Sequence, residues 1–101
     1  MDTSAGPETE AAIARLLRET ERAHAVYERE VLGGVRDEAW PAWYAAYLLD
    51  LGLGRQMPQG DALTVDALAA ALVRLDEDYR REQPTHEWPE YYARGLSDGV
   101  G

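Results

Sequence analysis

His24 is the residue of this sequence whose side chain is best suited to acid–base chemistry or metal binding. Glu21 precedes it by three residues and Glu28 follows it by four, so a helix places both carboxylates within one turn of the imidazole. Asp76 occupies the matching position in a second, similar stretch, and two long helices packed together would bring it close to His24. A carboxylate beside an imidazole orients and charges the ring, which suits it to acid–base catalysis. The simpler interpretation is a core or boundary histidine with its hydrogen bonds satisfied.

The tetrapeptide from Glu21 to His24 also resembles the Glu-x-x-His ligand pair of ferritin-like di-iron helices. A di-iron site needs a second such pair and two further Glu residues, and Val73 stands where the second stretch would need its Glu. The chain has no Cys, and no nucleophile or phosphate-binding glycine loop accompanies the histidine. We therefore predict no metal, no cofactor and no catalytic residue. The alternative is a small enzyme or metal site formed by His24, Glu21, Glu28 and Asp76.

Aromatic residues are concentrated in two short segments, WPAWYAAYL and EWPEYYARGL, in a chain without Phe. The rings could fill the core in place of Phe, or they could line a pocket or surface that binds a ligand or partner. Consecutive rings at positions 43 and 44, and again at 91 and 92, direct at least one ring of each pair away from the core. The predicted binding residues are Trp40, Trp43, Tyr44, Tyr47, Trp88, Tyr91 and Tyr92.

Two helices are predicted in the first half of the chain. The first begins at Pro7, runs for about six turns and ends at Gly33 and Gly34, because glycine closes a helix at little steric cost. Its apolar or bulky positions recur in steps of four and three: Ile13, Leu17, Thr20, His24, Tyr27 and Val31. The second helix is predicted from an N-cap at Asp37 to Leu51.

Two further helices are predicted after a linker at 54–61. Thr64 is placed to cap the third helix, whose stripe consists of Val65, Leu68, Leu72, Leu75 and Tyr79. A short fourth helix begins at Thr85 or Trp88 and is closed by Gly95. No segment alternates with a period of two over a useful length, so the predicted strand content is near zero.

The second half of the chain repeats the first. A shift of 48 residues superposes six identical residues in eleven, beginning with Trp40 on Trp88, and a shift of 52 aligns the long helices, with Leu16 on Leu68. We therefore predict a single all-α, four-helix domain over 1–101, made of two duplicated long-helix/short-aromatic-helix units with a pseudo-twofold relation. Unit one spans 7–53, the linker spans 54–61 and unit two spans 62–99, with frayed termini.

Composition limits the classes of function. A chain of 101 residues with 46% hydrophobic residues makes one globular domain. A net charge of −9 opposes nucleic-acid binding, and no run of roughly 20 apolar residues suits a membrane span. We expect a cytoplasmic, acidic, helical binding or accessory protein. Its aromatic short helices would contact a protein partner, a second copy of the chain or a small hydrophobic ligand.

Overall fold

Helices account for the regular structure of this protein. The computed structural model describes residues 7–57, 62–85 and 87–97, and within these ranges it contains four α-helices and no strand. The elements are α1 (Pro7–Glu30), α2 (Trp40–Asp50), a 3-10 helix (Leu53–Gln56), α3 (Val65–Glu82) and α4 (Trp88–Ser97). The predicted all-α, four-helix class is confirmed. The termini that were predicted to fray, and positions 58–61 of the predicted linker, lie outside the described residues.

The helix α1 buries its predicted stripe over most of its length. Ile13, Leu17 and Thr20 are fully buried, and His24 is only 7% exposed. Val31 was predicted to continue the stripe but is 65% exposed, because it lies beyond the last helical residue. The buried face of α1 therefore ends on a polar side chain, His24, rather than on an aliphatic one.

Two consecutive glycines turn the chain after α1, as predicted. Gly33 and Gly34 have φ angles of +64° and +88°, which glycine adopts without the strain that a Cβ atom would add. The Gly34 N–H donates to the carbonyl of Glu28 at 2.8 Å. The loop then folds back along α1, and the Asp37 N–H donates to Glu28 Oε2 at 2.9 Å.

The helix α2 begins three residues later than predicted. Ala39 precedes it and has no side-chain acceptor, while Pro41 stands in the first turn, where its missing N–H costs least. Asp37 is therefore not the N-cap. Its Oδ1 instead accepts the Ala39 N–H at 2.9 Å, which shapes the turn before the helix. After α2, the 3-10 helix includes Leu53, the fully buried last residue of predicted unit one, and extends over positions 54–56 of the predicted linker.

The helices α3 and α4 differ from prediction at two positions. Thr64 caps α3 as predicted, since its Oγ1 accepts the Ala67 N–H at 3.1 Å, but Val65 is 36% exposed and does not join the core. Gly95 was predicted to end α4, yet it lies inside the helix. A Cβ atom at this position would lie 2.5 Å from Leu75 Cδ2. Gly95 is therefore a point of close approach between α3 and α4.

Each long helix packs most extensively on the short helix from the other half of the chain. The main contacts are α1 with α4 and α2 with α3, and those of α1 with α2 and α3 with α4 are smaller. The largest fully buried aliphatic side chains come from every helix: Ile13, Leu17, Leu48, Leu53, Leu68, Leu72 and Leu96. None of the helices in the described ranges combines the length and apolar character needed to cross a membrane.

Candidate ligand-binding cleft

An open cleft of about 390 Å³ lies where the four helices meet. The four α-helices and the loop after α1 all contribute side chains to this cleft. Its lining consists of Glu21, His24 and Glu28 of α1, Arg36 and Asp37 of the following loop, Trp40 and Tyr44 of α2, Asp76, Tyr79 and Arg80 of α3, and Trp88 and Tyr92 of α4. Eight of these residues were predicted from the sequence as members of two separate sites, one aromatic and one polar. The structure brings both sets together in one cavity.

Four rings form a continuous aromatic wall in the cleft. Trp40 meets Tyr44 edge to face at a centroid distance of 5.5 Å, and Trp88 meets Tyr92 in the same way at 5.1 Å. The two pairs are joined by Tyr44 and Trp88, whose centroids are 6.4 Å apart. Edge-to-face contacts of this kind are favourable and fix the ring orientations. The wall therefore offers apolar ring surface drawn from both short helices.

His24 is held by a carboxylate from the loop. Its Nε2 lies 2.9 Å from Asp37 Oδ2, and its Nδ1 lies 3.9 Å from Glu28 Oε1. The ring also contacts Trp43 and Tyr44 at centroid distances of 4.9 and 5.0 Å. The carboxylate that pairs with His24 is thus Asp37, because the glycine turn returns the loop to α1. Asp76, which was predicted to approach His24, lines the same cleft and pairs with Tyr92 and Arg80.

The remaining carboxylates hold the aromatic residues of α4. Asp76 Oδ1 accepts a hydrogen bond from the Tyr92 hydroxyl at 3.0 Å, and Asp76 Oδ2 lies 3.3 Å from an Arg80 nitrogen. Glu21 Oε2 accepts the indole N–H of Trp88 at 3.2 Å. Both carboxylates thus fix rings of the aromatic wall while still lining the cleft.

The cleft has a negative electrostatic character. Burial, together with the charges of Glu21 and Glu28, raises the pKa of Tyr44 to about 12. Burial and the adjacent Asp76 also raise the pKa of Tyr92. Both phenols therefore stay protonated at neutral pH. The negative field that disfavours an ionised phenol would favour a cation in the cleft.

Three of the predicted aromatic binding residues lie outside the cleft. Trp43 and Tyr47 stack on each other with a centroid distance of 5.1 Å and an interplanar angle of 10°. Tyr91 meets Tyr79 edge to face at 5.3 Å. All three are partly buried, so they combine packing with some exposed ring surface.

Four residues of the cleft were missed as site residues: Arg36, Asp37, Tyr79 and Arg80. Asp37 was assigned only a capping role, although its place shortly after a Gly-Gly turn could have indicated a return to α1. Within the described ranges, no group of three or more His, Asp or Glu side chains is arranged to hold a metal ion.

Comparison with known proteins identifies no relative, since no family model, curated protein or solved structure matches this chain.

Proposed function

We propose that this protein binds a small organic ligand in the cleft and acts as a binding or accessory protein. The observation that carries the proposal is a cavity of about 390 Å³ with an aromatic wall and contributions from all four helices. Ligand pockets typically measure about 300 to 1,000 Å³ and combine apolar walls with a few oriented polar groups. The cleft has both properties, since its rings are packed edge to face and its carboxylates are fixed by hydrogen bonds.

The proposal includes the origin of the cleft in two duplicated units with a pseudo-twofold relation. Equivalent contacts recur in the two halves and support it. Trp40 with Tyr44 corresponds to Trp88 with Tyr92, and Tyr27–Trp43 corresponds to Tyr79–Tyr91, each with a centroid distance of 5.3 Å. A pseudo-twofold relation between the units makes α1 equivalent to α3 and α2 equivalent to α4. The α1–α4 interface then corresponds to the α3–α2 interface, and these are the two most extensive interfaces.

The polar residues of the cleft break this relation. The repeat aligns His24 with Asp76 and Glu28 with Arg80, so the aromatic wall is nearly symmetric while the charged groups are not. A ligand that contacts the wall could bind in two orientations, and the unequal polar groups would select one of them. We assign ligand specificity to these unequal positions.

The test is native mass spectrometry of the protein purified from its own host. We expect one small molecule retained per chain, lost in Trp40→Leu and kept in Trp43→Leu. The two variants remove the same ring from the same helix, but only Trp40 lines the cleft. Homodimers or a co-purifying protein without a small molecule would contradict the proposal and favour a partner surface instead.

A second candidate function, an enzyme centred on His24, is favoured by the pairing of the buried His24 with Asp37 in the cleft wall. Such a pair could move protons during a reaction. However, both ring nitrogens of His24 face carboxylates, at 2.9 Å from Asp37 and 3.9 Å from Glu28. This arrangement suits a structural role in which His24 attaches the loop after α1 to the helix. Incubating the retained molecule with fresh protein separates the two functions, because binding returns it unchanged. A product whose formation stops in His24→Gln would support the enzyme.

A further inference from the structure

We infer that the ligand of the cleft is an organic cation, an amine or quaternary ammonium group carried on an aromatic or apolar body. The inference rests on the proposed function and specifies its ligand class. It stands on three features of the cleft: the excess of carboxylates, the aromatic wall and the positions of the two basic residues.

The carboxylates outnumber the basic groups of the cleft. Four carboxylates, from Glu21, Glu28, Asp37 and Asp76, face two guanidinium groups, from Arg36 and Arg80, so the formal charge of these six side chains is −2. Glu21 and Glu28 lie seven residues apart on α1, which is two helical turns, and therefore share one face of the helix. Their negative charges therefore lie on the same side of the cleft.

The two arginines do not make this an anion site. Arg80 lies 3.3 Å from Asp76 Oδ2, so its charge is already opposed by a carboxylate of the cleft. Arg36 lies on the exposed loop between α1 and α2. The carboxylates of α1 would repel an anionic ligand in the cleft, whereas they attract a cation.

The aromatic wall supplies the second attraction. Cations bind over the faces of Trp and Tyr within about 6 Å of the ring centroid, and Trp is the most favourable residue. Neighbouring rings of the wall are spaced 5.1 to 6.4 Å apart, so a cationic group seated against one ring also approaches the next. The apolar body of the same ligand would occupy the remaining ring surface.

The experiment compares three ligands that share a phenyl group on a short chain: phenethylamine, 2-phenylethanol and phenylacetate. Isothermal titration calorimetry at neutral pH and low salt is expected to give about tenfold tighter binding for the amine than for the alcohol. Phenylacetate is expected to bind most weakly. The preference for the amine should shrink in 0.5 M salt, because the electrostatic part of the attraction is screened.

The variant that tests the charge is Glu28→Gln, with Glu30→Gln as its matched control. Both remove one negative charge from the last turn of α1, but only Glu28 lines the cleft. We expect Glu28→Gln to reduce the amine affinity severalfold and to reduce the alcohol affinity by a much smaller factor. Glu30→Gln should leave both unchanged. Equal losses in the two variants would mean that overall charge, and not the cleft, attracts the amine.

The outcomes separate this inference from the proposed function. Equal affinities for amine and alcohol, or a preference for phenylacetate, would overturn the cationic class and leave small-molecule binding intact. The same conclusion follows if the three compounds fail to bind while the purified protein retains a small molecule that carries no cationic group. A retained amine or quaternary ammonium compound would support the inference. Failure of both experiments would overturn the proposed function together with the inference.

Discussion

Replacing Tyr92 by Phe removes one hydrogen bond from the cleft and leaves its ring in place. The Tyr92 hydroxyl donates to Asp76 Oδ1 at 3.0 Å and joins α4 to α3. A hydrogen bond to a charged acceptor contributes about 1.5 to 3 kcal/mol. The lower value applies here, because the Asp76 side chain is 24% exposed and keeps its ion pair with Arg80. We expect Tyr92→Phe to lower the free energy of unfolding by about 1.5 kcal/mol.

The matched control is Tyr44→Phe. Tyr44 occupies the same place in α2 that Tyr92 occupies in α4, and its ring also lines the cleft. Its hydroxyl makes no hydrogen bond to any residue in the described ranges. The same substitution should therefore change the free energy of unfolding by less than about 0.5 kcal/mol.

Urea unfolding followed by circular dichroism at neutral pH measures both variants. Since 1 kcal/mol corresponds to about 4 to 8 °C in a domain of this size, Tyr92→Phe should also lower Tm by about 6 to 12 °C. In a double-mutant cycle with Asp76→Asn, the two changes should couple by about 1 kcal/mol. Equal losses in Tyr92→Phe and Tyr44→Phe, or full additivity in the cycle, would refute the assignment of this energy to the hydrogen bond.

Three further predictions concern the helices and the pH range of stability. Gly95→Ala should lower the free energy of unfolding by about 1 kcal/mol, because the clash with Leu75 outweighs the gain in helix propensity. In a Leu75→Ala background the same change should become stabilising. Urea midpoints measure both effects. Thr64→Ala should cost about 1 kcal/mol through loss of the α3 cap, with Thr64→Ser near wild type in the same assay. The pKa of Tyr44 rises from 10.0 in the unfolded chain to about 12 when folded, so its stabilising contribution is complete below pH 10 and is lost as the pH rises to 12. Urea midpoints between pH 9 and 12 should therefore fall more steeply for the wild type than for Tyr44→Phe, and parallel curves would contradict this.

Local periodicity predicted the helices well because it depends on neighbouring residues along one helix. The steps of three and four identified Ile13, Leu17, Thr20 and His24 as one face, and the structure buries all four. Thr64 was predicted as a cap because a hydroxyl before an apolar run can accept an N–H, and it does. These features are decided within one or two helical turns.

The errors arose where separate segments meet. The sequence pattern assigned Asp37 to the start of α2, but the chain path after Gly34 places its carboxylate on His24. Gly95 has the position of a helix stop, yet the contact with Leu75 on α3 explains its lack of a side chain. The membership of Arg80 in the cleft could have been predicted from the repeat, which aligns it with Glu28.

The pairing of the first helix with the last has a consequence for how this protein folds. The hydrogen bond between Glu21 and Trp88 joins positions 67 residues apart, and the α1–α4 interface is the most extensive in the structure. Helical proteins usually fold fast because their contacts are local, whereas long-range contacts slow the search. During synthesis, the face of α1 that packs on α4 would stay exposed until α4 has left the ribosome. We expect folding slower than is usual for a helical domain of this length.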